Sequence, residues 1–219
     1  MSPFASSPDR FTPDGDPSAV ARHLSPWRSI LVGGAGFCLA SLAVFATVAF
    51  AERWMYQRLG LAGAYSTWTV LFILLGGAAL LPLLTEPGRW LRFYLLFGAA
   101  FLFYAVGWTG AYFTLRGKAG EWAASLAGSI LMGLVFAFGF GALRAAVKLI
   151  AVLFVGNSAG YFLGDALNRA LGGRVGMLLW GAAYGLFLGS ALGATLYFAQ
   201  ASRRERLKIS ADGNINERR

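Results

Sequence analysis

Long apolar runs separated by short polar segments dominate the chain. Most of the runs hold about 20 residues, the length that an α-helix needs to cross the hydrocarbon core of a bilayer. Tryptophans such as Trp27, Trp54 and Trp90 stand at the run ends, where an indole ring can be half wet and half apolar. The pattern predicts an all-α, polytopic transmembrane helix bundle with six spans, at residues 29–51, 66–84, 93–115, 122–143, 149–164 and 175–199.

Two polar segments flank this predicted membrane domain, which extends over residues 25–200. Residues 1–24 are rich in Ser, Pro and Asp and lack periodicity, which is typical of a disordered tail, and residues 201–219 form a basic tail. Lys and Arg concentrate in cytoplasmic segments of membrane proteins, and 13 of them lie on the side of the two termini against 6 on the other side. We therefore predict that both tails are cytoplasmic and that the protein is integral to the inner membrane of a bacterial cell.

Composition excludes several classes of protein. The chain is 57% hydrophobic and 13% charged, whereas a soluble domain carries about a quarter charged residues, so lipid must cover much of the surface. The net charge of +9 comes from basic residues scattered in ones and twos between apolar runs, which argues against nucleic acid as a partner. With one cysteine, Cys38, and one histidine, His23, the sequence offers no metal framework, and we expect no cofactor.

The second half of the chain contains a weak internal repeat. Residues 106–113 in span three match residues 155–162 in span five at an offset of 49 residues. In span four, Gly133 and Gly141 match Gly185 and Gly193 of span six at an offset of 52 residues. These matches predict a duplicated two-helix hairpin, spans three and four followed by spans five and six, with both copies in the same orientation. Spans one and two fit this repeat poorly.

Small residues recur at every fourth position in the last three spans, as in a glycine zipper. Such a stripe lets helix backbones approach closely, so that dispersion contacts replace the hydrophobic drive that is absent in lipid. We expect these faces to pack spans four, five and six against one another; a seam between copies or a docking face for a partner subunit is the alternative. The predicted packing residues are Gly133 and Gly141 in span four, Gly156, Gly160 and Gly164 in span five, and Gly181, Gly185, Gly189 and Gly193 in span six.

Polar side chains form matched stripes on two spans. Span three carries Tyr104, Trp108, Tyr112 and Arg116 at helical spacing, and span five carries Asn157, Tyr161 and Asp165. One interpretation is that they are interfacial anchors, together with an Asn that bonds a neighbouring helix. The sharper hypothesis is an aromatic, polar-lined pocket or gate between spans three and five, closed on the outside by an Arg116–Asp165 ion pair.

Charged residues are missing from the middle of every span, and no nucleophile–base or paired-carboxylate pattern is present. Ion-coupled transport usually needs a charged group in the middle of a span, so its absence argues against a proton-coupled mechanism. Hydrolysis needs an acid, a base or an activated nucleophile, so we expect that the protein is not an enzyme. Two function classes remain open. The first is a non-catalytic helix-packing subunit or scaffold of a membrane complex, and the alternative is a small-solute transporter or substrate-binding membrane subunit. A sizeable cavity between spans three and five would favour transport, and a filled core would favour the scaffold.

The predicted partners follow from the same pattern. The lipid bilayer covers the spans, and other membrane subunits could join them. The C-terminal cluster of Arg203, Arg204, Arg206 and Lys208 lies next to the last span and should attract anionic lipids of the cytoplasmic leaflet.

Overall fold

The computed structural model describes residues 25–85, 88, 90–206 and 209, so the predictions for residues 1–24 and for most of the basic tail lie outside the described residues. The described part is all-α. Its long helices are α1 (Pro26–Leu80), α2 (Trp90–Leu115), α3 (Gly117–Phe140), α4 (Ala146–Leu171) and α5 (Gly173–Ala199). Short 3₁₀ turns at Leu81–Leu83 and Leu143–Ala145 precede α2 and α4.

Helix α1 begins at a capped end. The Ser25 side chain accepts a hydrogen bond from the backbone N–H of Arg28 at 3.1 Å, and Pro26 occupies the first helical position, where its missing N–H costs nothing.

The 55 residues of α1 form two arms rather than one rod. Gly60 has a φ of 67° and a ψ of −178°, a conformation that residues other than glycine strongly disfavour. It separates a first arm, residues 26–59, from a second arm, residues 61–80. Ring contacts join the arms in antiparallel order: Tyr56 lies 5.8 Å from Trp68, and Phe45 lies 6.4 Å from Phe72. The chain therefore doubles back at Gly60.

Five helical stretches of the described chain are long and apolar enough to cross a membrane. The first of them, Pro26–Leu83, holds 58 residues. At a rise of about 1.5 Å per residue it would reach almost three times across a hydrocarbon core of about 30 Å if it were straight. Many large apolar side chains stay exposed on the helix surfaces, among them Leu39, Leu95 and Val155. The chain is an integral, multi-pass membrane protein.

Two further helical hairpins follow the first one. Helices α2 and α3 form the second hairpin and turn at Arg116 and Gly117; α4 and α5 form the third and turn at Gly172 and Gly173. Helices α2 and α4 are displaced by 56 residues at both their first and last residues. The offsets of 49 and 52 residues that the sequence predicts are therefore wrong as a structural register, since they pair residues that lie about two turns and about one turn apart along the helices.

One core cluster holds the three hairpins together. It takes completely buried side chains from every long helix, and its members without solvent exposure include Phe37, Leu80, Phe97, Phe136, Leu149 and Leu192. A second, smaller cluster lies between the two arms of α1 near the turn and contains Val44, Met55, Ala64 and Trp68.

The glycines of α5 contact the first arm of α1. A Cβ atom at Gly189 would lie 2.5 Å from the backbone oxygen of Gly33, and one at Gly185 would lie 2.7 Å from the Cα atom of Cys38. At Gly181, it would lie 2.6 Å from the Cβ of Phe45, and at Gly193 it would overlap the backbone oxygen of Ser29. The prediction that these glycines pack against spans four and five is wrong, because the first arm, with its own small residues, fits the same face.

The remaining predicted packing glycines divide into two groups. Gly156, Gly160 and Gly164 of α4 face α5, and Gly133 of α3 faces Ile150 of α4. Gly141 differs: it caps the end of α3 with a φ of 66° and has open space around its Cβ position, so it ends a helix and packs against nothing.

The C-terminal end of α5 is joined to the end of the first hairpin. The side-chain oxygen of Gln200 accepts hydrogen bonds from the backbone N–H and the hydroxyl of Thr85, both at 2.9 Å. Its amide nitrogen donates to the backbone oxygens of Leu83 and Leu196. Gln200 interrupts the helix, which resumes over residues 201–206, so the basic segment is not a straight continuation of α5.

Candidate functional site

A hydrogen-bonded network of polar side chains lies inside the bundle. The Tyr104 hydroxyl of α2 donates to the side-chain oxygen of Asn157 of α4 at 2.8 Å, and it lies 3.0 Å from the hydroxyl of Tyr184 of α5. The Asn157 amide donates to Ser125 of α3 at 2.8 Å, and Ser125 shares a 2.7 Å hydrogen bond with Ser158. Four helices thus contribute to one network.

Burial makes this network energetically sensitive. Asn157 and Ser125 have no solvent exposure, and 7% of Tyr104 is exposed. A polar group buried without a partner costs about 1–3 kcal/mol, whereas a paired one is nearly neutral or mildly stabilising. The Asn157 amide uses both its oxygen and its nitrogen, so the network satisfies its central member on both sides.

An aromatic layer lies beside the network, towards the turns of the second and third hairpins. The Trp108 ring stacks on Tyr112 at a centroid distance of 5.2 Å and lies 5.7 Å from Tyr161. Tyr161 in turn contacts Trp180 of α5 at 5.8 Å. The structure therefore brings the predicted aromatic residues of spans three and five together and adds a tryptophan from span six.

An ionic cluster closes this end of the site. Lys118 of α3 lies 2.7 Å from Glu121 and 3.6 Å from Asp165 of α4, and Asp165 also pairs with Arg169 one turn further along α4. The side chains of Glu121 and Asp165 are about one-sixth exposed, while both cations remain more than half exposed.

The predicted Arg116–Asp165 pair is wrong. Arg116 is exposed and forms the turn itself, with a φ of 53°, so it lies between α2 and α3 and Asp165 pairs with other cations. Lys118 takes its place because the first turn of α3 projects it towards α4.

Sequence reasoning missed several members of the site. Ser125, Ser158 and Tyr184 complete the polar network, and Trp180, Lys118 and Glu121 extend the outer layers. A helical signal was present for one of them, since Tyr184 follows Trp180 by four residues and shares its face. The two serines carry no comparable signal in the sequence.

Side chains of spans three and five contact each other directly at Tyr104–Asn157 and Trp108–Tyr161. A cavity of about 40 Å³ lies at the opposite end of the bundle, where the start of α2, the end of α3 and the C-terminal segment meet. It is far smaller than the several hundred Å³ of small-molecule sites and has room for only a few water molecules. Its lining residues are Leu84, Arg92, Phe93, Leu96, Gly139, Phe140, Gln200 and Arg203.

The arginine side chains of the basic C-terminal segment differ in their exposure to solvent. Arg204 is buried: its guanidinium donates to the backbone oxygen of Tyr197 and lies 3.7 Å from the centre of the Tyr197 ring. This burial lowers the pKa of Arg204 from its usual value. Arg206 is exposed, and the guanidinium of Arg203 lies 5.8 Å from the centre of the Phe140 ring.

Over residues 25–85, 88, 90–206 and 209, no group of three or more His, Cys, Asp or Glu side chains could hold a metal ion.

Comparison of the chain with protein-family models, with curated proteins and with solved structures finds no match.

Proposed function

We propose that the protein is a non-catalytic, helix-packing scaffold subunit of a membrane complex. The observation that carries this proposal is the pairing of polar groups between α2 and α4, where the Tyr104 hydroxyl and the Asn157 amide are hydrogen-bonded to each other. A transport pathway in its accessible state would offer these groups to a solute instead of to neighbouring side chains.

The glycine faces support a self-contained bundle. The α5 glycines contact the first arm of α1, and the α4 glycines contact α5. Because both faces are used inside the chain, a partner subunit would meet the exposed large side chains rather than a glycine seam. The glycines are thus part of the chain's own packing.

The proposed topology has six crossings with both termini in the cytoplasm. Each arm of α1 is long enough to cross the hydrocarbon core, because about 20 residues suffice, and the arms run in opposite directions. Together with α2 to α5 they make six crossings, an even number that places both termini on one side. The excess of Lys and Arg on that side supports a cytoplasmic location for both termini. The membrane of this proposal is the inner membrane of a bacterium.

Anionic lipids are the proposed partners of the C-terminal basic segment. Arg203 and Arg206 supply positive charge next to the end of α5, and each basic residue near an anionic surface contributes about 1 kcal/mol to membrane attraction. Arg204 is directed to Tyr197 and contributes less, because a buried guanidinium does not reach lipid phosphates.

Small-solute transport is the second candidate function. The aromatic layer of Trp108, Tyr112 and Tyr161 lies between the ionic cluster and the buried network, which is the order of layers expected along a path into the membrane. Hydroxyl and amide groups line this route, so an uncharged polar solute would suit it. In this alternative, the observed network is the closed state.

One experiment separates the two candidates. The protein is purified in mild detergent and reconstituted into liposomes, and swelling in glycerol or urea is compared with that of empty liposomes. In parallel, the tagged protein is crosslinked in its own membranes, and stoichiometric partners are identified. The scaffold proposal expects no swelling above background and a defined membrane partner. Swelling that disappears in Asn157→Leu, with no such partner, would overturn it in favour of transport.

A further inference from the structure

The three hairpins share one turn geometry at regular intervals. Gly60 has φ and ψ values of 67° and −178°, Arg116 has 53° and 167°, and Gly172 has 65° and 177°. These three residues are spaced 56 residues apart, and a leucine precedes each of them, at Leu59, Leu115 and Leu171. A left-handed residue with extended ψ is rare outside glycine, so three evenly spaced occurrences indicate equivalent hairpins.

Burial repeats with the same period of 56 residues. Leu80, Phe136 and Leu192, on the second helix of each hairpin, have no solvent exposure at all. On the first helices, Phe37, Phe93 and Leu149 are 0%, 3% and 0% exposed and belong to the same core cluster. Equivalent residues of all three hairpins therefore face one common interior.

The seams between hairpins repeat as well. In each hairpin, one equivalent glycine of the second helix contacts the first helix of the next hairpin. A Cβ at Gly133 would lie 2.6 Å from the Ile150 side chain, and one at Gly189 would lie 2.5 Å from the Cβ of Phe37. At Gly77 it would meet the ring of Tyr94. The third seam leads from the last hairpin back to the first, so the arrangement closes on itself.

We propose that the chain is a closed ring of three equivalent helical hairpins around a pseudo-threefold axis. Equivalent positions of successive hairpins are 56 residues apart in the sequence. This goes beyond the scaffold proposal and does not depend on it. Each chain completes its own ring through the contact of α5 with the first arm of α1. The bundle therefore needs no second copy to fill its interior.

The ring also shows where the chain departs from equivalence. Asn157 occupies the position of Phe45 and Phe101, and Tyr104 occupies that of Val48 and Gly160. The polar network is therefore a feature of the seam between the second and third hairpins, and the packing of the ring does not require it. Buried polar groups of this kind fix register at a cost in stability, and this seam is the one whose alignment the network specifies.

Ring closure is tested with the native Cys38. Its sulfur lies 3.5 Å from the backbone oxygen of Ala182, so Ala182→Cys should form a disulfide between the first and third hairpins under mild oxidation. Cleavage at a protease site inserted between Thr85 and Trp90 cuts the chain into two fragments, the first hairpin and the rest. The disulfide should keep the two halves of the cut chain joined on a non-reducing gel. Leu179→Cys, exposed on the same helix, is the control and should leave the halves separate. Separate halves with Ala182→Cys, or equal linkage with Leu179→Cys, would overturn the ring.

Equivalence is tested by three matched substitutions. Gly77→Leu, Gly133→Leu and Gly189→Leu should each lower the midpoint of thermal unfolding in detergent, and to a similar extent, because all three occupy seams. Gly110→Leu is the control, because its Cβ position lies in open space within α2 and the midpoint should hardly move. If one of the three variants behaves like Gly110→Leu, the hairpins are not equivalent.

Discussion

The Tyr104 hydroxyl donates a 2.8 Å hydrogen bond to the side-chain oxygen of Asn157 across the interface of α2 and α4. The same hydroxyl lies 3.0 Å from that of Tyr184, so one group links three helices. Because Asn157 is buried and Tyr184 is partly buried, these two partners have little access to water when the Tyr104 hydroxyl is lost. Loss of this hydrogen bond therefore costs free energy mainly because it leaves polar groups unpaired, and less because of the net strength of the bond itself.

The first prediction removes that hydroxyl. Tyr104→Phe leaves the Asn157 oxygen and the Tyr184 hydroxyl without this partner, and it should cost about 1–3 kcal/mol of unfolding free energy. Denaturant titration in detergent measures the change. Tyr112→Phe serves as the control, since the stacking of its ring on Trp108 survives. Equal stabilities of the two variants would contradict the importance of the network.

The second prediction concerns the seam between α5 and the first arm. Gly185→Ala and Gly193→Ala each add a methyl group against backbone atoms of α1, which cannot move aside as a flexible side chain can. Overpacking of this kind typically costs about 1–3 kcal/mol. Phe187→Leu, at an exposed position on the same helix, should be milder. Equal midpoints of thermal unfolding in the three variants would show that the seam between α5 and the first arm tolerates the added methyl groups.

The helices could be predicted from the sequence because lipid imposes one dominant pattern, apolar runs of a fixed length. The partner of each face could not be. The α5 glycines fit any helix with a small-residue face, and Gly33 and Gly34 in the first span offered such a face as well as spans four and five did. The choice between them depends on the order of three hairpins around the bundle, which periodicity does not report.

The site was predictable in part for a similar reason. Stripes on α2 and α4 indicated that Trp108 and Tyr161 share an interface, since both recur at helical spacing. The ion pair was misplaced by two residues because the exact start of α3 decides whether Arg116 or Lys118 points towards Asp165. Helix ends are the least predictable part of a helix.

The third prediction tests the topology. In a Cys38→Ala background, single cysteines at Ala62 and Ala119 should react in intact cells with a membrane-impermeant maleimide, because the proposed topology places the hairpin turns beside them on the outer side. Ser202→Cys should react only after the membrane is opened. Reaction of Ser202→Cys in intact cells would place the C-terminus outside and reverse the proposed orientation.

The fourth prediction concerns Gln200. Its amide satisfies the backbone of Leu83 and Thr85, so Gln200→Leu leaves buried backbone groups unpaired at the end of the first hairpin. We expect a loss of about 1–3 kcal/mol in unfolding free energy, together with faster hydrogen exchange at Thr85. Ala201→Leu, one residue later and exposed, is the control and should leave both quantities unchanged. Unchanged exchange at Thr85 in Gln200→Leu would show that this link does not hold the first hairpin.

The last prediction uses the turn of the second hairpin. Arg116 adopts a φ of 53° and a ψ of 167°, where the first and third hairpins have glycine, and a side chain there costs about 1–3 kcal/mol. Arg116→Gly removes this strain, while the added freedom of the unfolded chain costs only about 0.5–1 kcal/mol. The variant should therefore be more stable than the parent, by about 1 kcal/mol in denaturant titration. Ala111→Gly, in the interior of α2, is the matched control and should lose about 1 kcal/mol. A loss of stability in both variants would mean that the Arg116 side chain makes a contact that outweighs its backbone strain.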